Sequence, residues 1–380
     1  MALNHPSRTL LAGLILAALP SMNALADEKD TRHGGAKNSG FNFEGGLTMT
    51  AQDADDSRIQ NEYFASLDLV GTFKLGPGEL LAYLEGNSTQ RPNGVSNTLG
   101  ESNGDAGSAL NRGSHGRAQI SELHYTLPVG GGDFTIGLID TKGFVDSSHV
   151  ANDEGAQFLS GNLVNNASIV FPDYTLGMAY HRDYRDGAAG YTVVLTSSHG
   201  IADNTNRTYS ELFDVGRSGK GVFAVVEPFW TISDYTVRAG IWANTSDQTH
   251  VDGSAGTDSS YGVYAVVDGS FSKNTLWNVR AGIADEETVQ GSEFLSAAVE
   301  HHLGKMTYGA GIAHTFLSGD NTTATNDDTT VAELYARYDL NDNVQITPSV
   351  QMISNSGFDG SGASFDDNVT VFNMRINLAF

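Results

Sequence analysis

A chain of 380 residues with 45 acidic against 21 basic side chains has a formal net charge of −24. That balance excludes nucleic-acid binding, which needs a basic footprint, and argues against an anion-selective conduit unless local charge at a constriction overrides it. The chain has no cysteine, so thiol catalysis, cysteine-ligated metal and c-type haem attachment are excluded as well.

The first element in chain order is a secretory signal. Met1 to Ala26 carries Arg8 in a short n-region, an apolar run from Leu10 to Leu19, and an Ala24-Leu25-Ala26 cleavage site followed by Asp27-Glu28. The run is shorter than the roughly 20 apolar residues a membrane-spanning helix needs. The mature domain is therefore expected to cover 27–380. No later run approaches helix-spanning length. Hydropathy alone would make the rest soluble, the usual outcome for a membrane β-barrel, whose strands carry only a weak two-residue period.

That period recurs from residue 41 onward. It predicts sixteen strands, near 41–51, 61–75, 79–87, 117–128, 132–141, 173–182, 189–199, 220–230, 233–247, 259–271, 274–284, 294–303, 306–317, 328–340, 343–355 and 367–380. In the fourteenth, Ala332, Leu334, Ala336, Tyr338 and Leu340 share one face, against Glu333, Arg337 and Asp339 on the other. Strands of about ten residues with one apolar and one polar or small face suit a tilted crossing between lipid and water. In a bilayer they must close on themselves to pair every backbone group. The expected fold is all-β: a transmembrane antiparallel barrel of about sixteen strands.

The connections support this. Tight turns such as Gly304-Lys305 alternate with long polar loops such as Ser318 to Thr329, the short and long ends of an outer-membrane barrel. A soluble sandwich would not explain that alternation. Tyr63, Phe64, Tyr125, Phe229, Trp230, Tyr235, Trp277 and Tyr338 lie near strand ends and are predicted to form interfacial girdles.

Two connections break the rhythm. Residues 87–116 are Gly/Ser/Asn-rich and read as a long external loop. Residues 141–172 are mixed, with Asp146 or Ser147 placed to cap a short helix and Phe144, Phe158, Leu159, Leu163, Val170 and Phe171 as apolar anchors. A solvated loop needs no such anchors. This segment is predicted to fold into the channel and narrow it.

Alternation turns Glu122, His124 and Thr126 inward, and likewise Arg238, Trp242, Asn278, Arg280, Glu333, Arg337, Asn373 and Arg375. The candidate constriction is Glu122, His124, Arg238 and Arg280 on the wall with Asp146, Asn152, Asp153, Glu154 and Gln157 on the loop, Glu122 opposing the loop. Such groups hydrogen-bond hydroxylated solutes. There is no G-x-S-x-G or H-E-x-x-H motif. His301 and His302 point to opposite faces, and Asp320 to Asp328 lacks calcium-loop spacing and reads as solvated surface. No catalytic residue, metal or cofactor is expected.

The run Ile120 to Tyr125, then Gly137 to Asp140, Phe144-Val145-Asp146, Ala151 to Glu154, Gln157-Phe158-Leu159, Leu163 to Asn166 and Phe171-Pro172 resembles the carbohydrate-selective porin B family. The likeness in motif detail spans about 117–180. It implies a sixteen-stranded channel of the Gram-negative outer membrane, surrounded by lipid and lipopolysaccharide, that passes sugars such as glucose by passive, saturable diffusion. The terminal Phe380 resembles the assembly signal of outer-membrane proteins, which implies contact with the assembly machinery. Monomer and homotrimer both remain open. The alternatives are a general or cation-preferring porin without sugar specificity, and a plugged scaffold barrel.

Overall fold

Strands with one apolar and one polar face assemble here into a closed sheet. The computed structural model describes residues 40–204, 206–321, 328–356 and 365–380. The expected signal segment therefore lies outside the described residues, as does most of the acidic stretch from Asp320 to Asp328.

Sixteen strands follow in order: β1 (Phe41–Ala54), β2 (Glu62–Leu75), β3 (Gly78–Asn87), β4 (Ala118–Val129), β5 (Gly132–Ile139), β6 (Thr175–Tyr184), β7 (Ala189–Ser197), β8 (Val222–Ile232), β9 (Tyr235–Thr249), β10 (Thr257–Ser272), β11 (Thr275–Ala284), β12 (Glu293–Leu303), β13 (Met306–Phe316), β14 (Thr329–Asn341), β15 (Val344–Ser356) and β16 (Phe365–Ala379). Each pairs antiparallel with its sequence neighbours, and β1 pairs with β16 to close the barrel. At the seam the backbones of Gly45 and Phe380 exchange hydrogen bonds of 2.8 and 2.9 Å. Closure leaves no unpaired edge, which a bilayer would not tolerate. Among the described residues, no helix is long and apolar enough to cross a membrane.

The outward face is a continuous apolar belt. Leu67, Ile136, Ile241, Ile283, Leu334 and Met352 are all exposed on it, far more than a water-facing surface carries. Tyr125, Trp230, Tyr235, Trp277 and Tyr338 lie outward near the short-turn end, where Trp277 contacts Tyr235 and Phe271. Phe64 and Phe229 do not join this girdle. Both are buried on the inner face, and Phe229 stacks on His181 at 5.9 Å. Position near a strand end gives height in the membrane, while only the phase of alternation gives the side.

Among the places where the register shifts, one is informative. On β4, Ile120 pairs with Leu84 and Glu122 with Tyr83. The extra residue is a bulge. It lets Ser121 and Glu122 both face inward, and both are buried.

Candidate functional site

A barrel wall of polar side chains can hold a loop only by satisfying its backbone, because a loop segment buried away from water leaves every N–H and C=O in need of a partner. The connection between β5 and β6, residues 140–174, enters the barrel and meets such a wall. Four wall carboxylates accept from it. Glu122 takes the N–H of Asp140 (3.3 Å), Glu227 that of Asp146 (2.7 Å), and Asp268 the N–H of His149 (3.2 Å) and the hydroxyl of Ser148 (2.5 Å). Glu333 takes the N–H groups of Leu159 (3.1 Å) and Ser160 (2.9 Å).

Three wall arginines donate in return. Arg280 reaches the carbonyls of Ala151 (2.5 Å), Leu163 (3.1 Å) and Asp146 (3.1 Å) and the side-chain oxygen of Asn152 (3.1 Å). Arg337 bonds the Ala156 carbonyl (2.7 Å). Arg375 bonds the carbonyls of Glu154 and, at 2.7 Å, Gln157. Charged donors and acceptors make the stronger class of hydrogen bond, so the clamp offsets much of what burial costs.

Apolar anchors add to it. Val150, Phe158, Leu163 and Val164 pack with Phe294, Ala298, Ala313 and Tyr335, and Val145, Ile169 and Phe171 with Phe223, Trp242 and Tyr264. Two wall glycines make room. A Cβ at Gly282 would lie 2.0 Å from the Ser168 hydroxyl, and one at Gly311 2.9 Å from Leu163.

No helix starts at Asp146 or Ser147. Asp146 has a left-handed backbone, φ 56°, and its carboxylate turns to Arg280 (3.4 Å) and the N–H of Asn166 (3.3 Å). Burial pushes the Asp146 carboxyl up, against the pull of Arg280 and Lys142. The loop's one helical turn spans Gly161–Val164, beyond the expected position.

The connection between β3 and β4, residues 88–117, is not the external loop its composition suggests. Residues 99–110 are all buried. The N–H of Gly104 bonds the Leu159 carbonyl (2.8 Å), Ser160 bonds the Glu101 carbonyl (2.9 Å), and Gln351 bonds the Ser102 carbonyl (2.9 Å). Small Gly, Ser and Ala side chains fit closely between the polar wall and the first inward loop. Apolar anchors are not needed where the surroundings are themselves polar.

The nine expected site residues divide accordingly. Glu122 is buried at the root of the loop, against Asp140, and does not face the loop across open water. His124 lies beside it, 3.6 Å from its carboxylate, with its ring edge-on to Phe144 at 6.4 Å. Arg238 pairs with Asp268 at 2.6 Å. Arg280 and Asp146 are wholly buried in the clamp, so their charges face the loop and not water. Asp153 is buried, caps the turn at Gly155 and Ala156 (2.7 and 2.9 Å) and is pushed up to about 6 by burial and by Glu154. Glu154 is buried too, one carboxylate oxygen without a hydrogen-bond partner. Asn152 and Gln157 stay part-exposed, joined by the Asn152 N–H at 2.9 Å. With Phe144, Ser147, Ser148 and His149 they form the loop's open edge inside the barrel. Glu227 and Asp268 were missed as acceptors, although mid-strand charge at an inward phase was the available signal.

A closed sixteen-strand antiparallel barrel narrowed by an internal loop is a porin-type fold. The structure of Pseudomonas putida OprB at high pH matches it with a TM-score of 0.71 and 15% sequence identity, over 90% of this chain and 94% of that one. Two engineered variants of a Rhodopseudomonas blastica porin match with TM-scores of 0.56 and 0.54 and identities of 13% and 12%, over 90% of this chain and 100% of theirs. No family model matches the sequence. An uncharacterized protein of Aquifex aeolicus is 40% identical over 63 residues, which is 17% of this chain and 20% of that relative, so the match spans about a fifth of the relative's length.

Proposed function

We propose that the protein is an outer-membrane porin for passive diffusion of small hydrophilic solutes, carbohydrates foremost. The observation that carries this is the inward loop 140–174, clamped by wall charges, whose open edge presents amide, hydroxyl and ring groups inside a barrel sheathed in apolar side chains. Amides and hydroxyls pair with sugar hydroxyls, and the Phe144 and His124 rings offer apolar faces to a pyranose. The likeness of residues 117–180 to the carbohydrate-selective porin B family and the fold match to OprB both support the sugar reading. The same reading carries location in a Gram-negative outer membrane, contact with lipid and lipopolysaccharide, and engagement of the assembly machinery through Phe380. The protein acts as a channel and carries out no catalysis. Path residues on this reading are Asn152, Gln157 and His124, with Glu122, Asp153, Glu154, Asp146, Arg238 and Arg280 holding the shape of the constriction.

A second reading has its own observation. Two connections, not one, are buried within the barrel, as a plugged scaffold would require. Liposome swelling with sugars, amino acids and organic acids tests the proposal: faster swelling with sugars than with equally sized organic acids is expected. Swelling by all small solutes alike would leave a general porin, and no swelling or conductance with folded protein would favour the plug.

A further inference from the structure

The long-connection end of the barrel carries a group of side chains that the channel does not use. His250 follows β9, Asp258 is the second residue of β10, and Glu287 belongs to the connection between β11 and β12, residues 285–292. One ligand atom from each lies within 4.8 Å of the others. We propose that these three residues form a binding site for a transition-series divalent cation, zinc in the first place, that ties the two outer connections together.

One imidazole nitrogen and two carboxylates suit zinc and its neighbours, whereas calcium and magnesium take oxygen alone. The imidazole is set for the role. Its Nδ1 is engaged by the Ser254 hydroxyl at 2.7 Å, the kind of outer contact that fixes a ligating ring. Its Nε2 is then the ligand atom, 3.0 Å from Asp258. The turn closes tightly around that ring: Gly256 has φ +128° and a Cβ there would lie 3.3 Å from the His250 ring. The two connections are already in register, since the Val251 N–H bonds the Glu287 carbonyl at 2.9 Å. Charge completes the case. The Glu287 side chain accepts no hydrogen bond, and neither carboxylate is paired with Lys or Arg among the described residues. A single imidazole therefore faces two converging carboxylates. Sequence spacing hides the site, because Glu287 comes from a different connection.

The test is zinc titration of untagged, folded protein in detergent, by calorimetry and by competition with a chromogenic chelator. One equivalent is expected, unaffected by excess calcium. His250→Ala and Glu287→Gln should each weaken it at least tenfold. Glu287→Gln leaves the His250–Asp258 pair in place, so its loss of affinity separates a three-ligand site from a simple ion pair. Zinc should also protect 250–256 and 285–292 from protease in the wild type alone. Unchanged binding in either variant, or no zinc bound by the wild type, would overturn the assignment. Heat-modifiable migration of each variant establishes that it is folded.

Discussion

Replacing Arg280 by Met removes the centre of the clamp while keeping an unbranched side chain in its place. The guanidinium serves three loop carbonyls and the Asn152 amide oxygen, and faces the Asp146 carboxylate at 3.4 Å. It has no exposure to water. Breaking a buried pair from one side costs about 3–5 kcal/mol, because the remaining charge is left uncompensated. At about 1.4 kcal/mol per tenfold, the open population of the segment around 146–163 should rise by roughly two to nearly four orders of magnitude. The strand ladder does not depend on Arg280 in the same way, so the barrel should still fold and show heat-modifiable migration. Amide exchange of Ala151, Asn152 and Leu163 should therefore accelerate, while that of β1 and β16 should not. In planar bilayers the variant should show larger and noisier conductance steps. Arg280→Lys, which keeps charge but loses the planar fork, should fall between the two. A folded Met variant with wild-type exchange and conductance would refute the claim that this side chain holds the constriction.

Gly104 bears on the contact between the two inward loops, since a Cβ there would lie 3.3 Å from both Glu154 Cβ and Gly161 Cα. Gly104→Leu should part the loops and raise single-channel conductance; an unchanged pore would exclude that contact from the constriction. Asp105 lies in the second inward loop, where burial, with Glu154 and Glu85 close by, raises its carboxyl from 3.8 to about 7. The docked loop thus keeps a proton that the undocked loop releases, so docking should be strongest in acid and weaken as pH rises towards about 7. Amide exchange over 99–110, corrected for intrinsic rates, should show this trend in the wild type and lose it in Asp105→Asn. At the seam, a Cβ on Gly45 would lie 2.3 Å from the Phe380 ring, so Gly45→Val should displace the ring and lower the temperature at which the folded gel band disappears. Reversal potentials at low salt should show cation preference if any, because the net charge is −24 and Arg238, Arg280, Arg337 and Arg375 are already bonded to Asp268 or to the loop; a clear chloride preference would refute this.

The barrel was legible because its signal repeats. Sixteen alternating segments, each ambiguous alone, agree with one another, and the observed strand limits depart from the expected ones by only a few residues. The inward course of 140–174 was legible from its apolar anchors, and Phe158, Leu163 and Phe171 are indeed buried. The inward course of 88–117 was not. Its residues are small and polar, and in a water-soluble protein that composition marks a solvated loop. Inside a polar-walled barrel the same residues are the ones that fit, as Gly104 and Ser102 do beside Leu159 and Gln351. The bulge that turns both Ser121 and Glu122 inward was equally silent, since alternation has no way to mark an inserted residue.

The wall charges share one physical circumstance. Alternation tells which side of the wall a residue faces, and says nothing of what fills the space in front of it. Arg280, Glu227, Asp268, Glu333 and Arg375 all face inward, and all meet the backbone of residues 140–174 before they meet water. A loop lodged in a barrel has no hydrogen-bonded ladder of its own, so the wall must supply donors to its carbonyls and acceptors to its N–H groups. Mid-strand charges are then consumed in proportion to the loop buried. On the proposed channel function, selectivity falls to the edge left open to water, which runs from Phe144 through His149 to Asn152 and Gln157. Substitutions on the wall should therefore act on the pore chiefly by moving the loop, and substitutions on that edge by changing which solutes it holds.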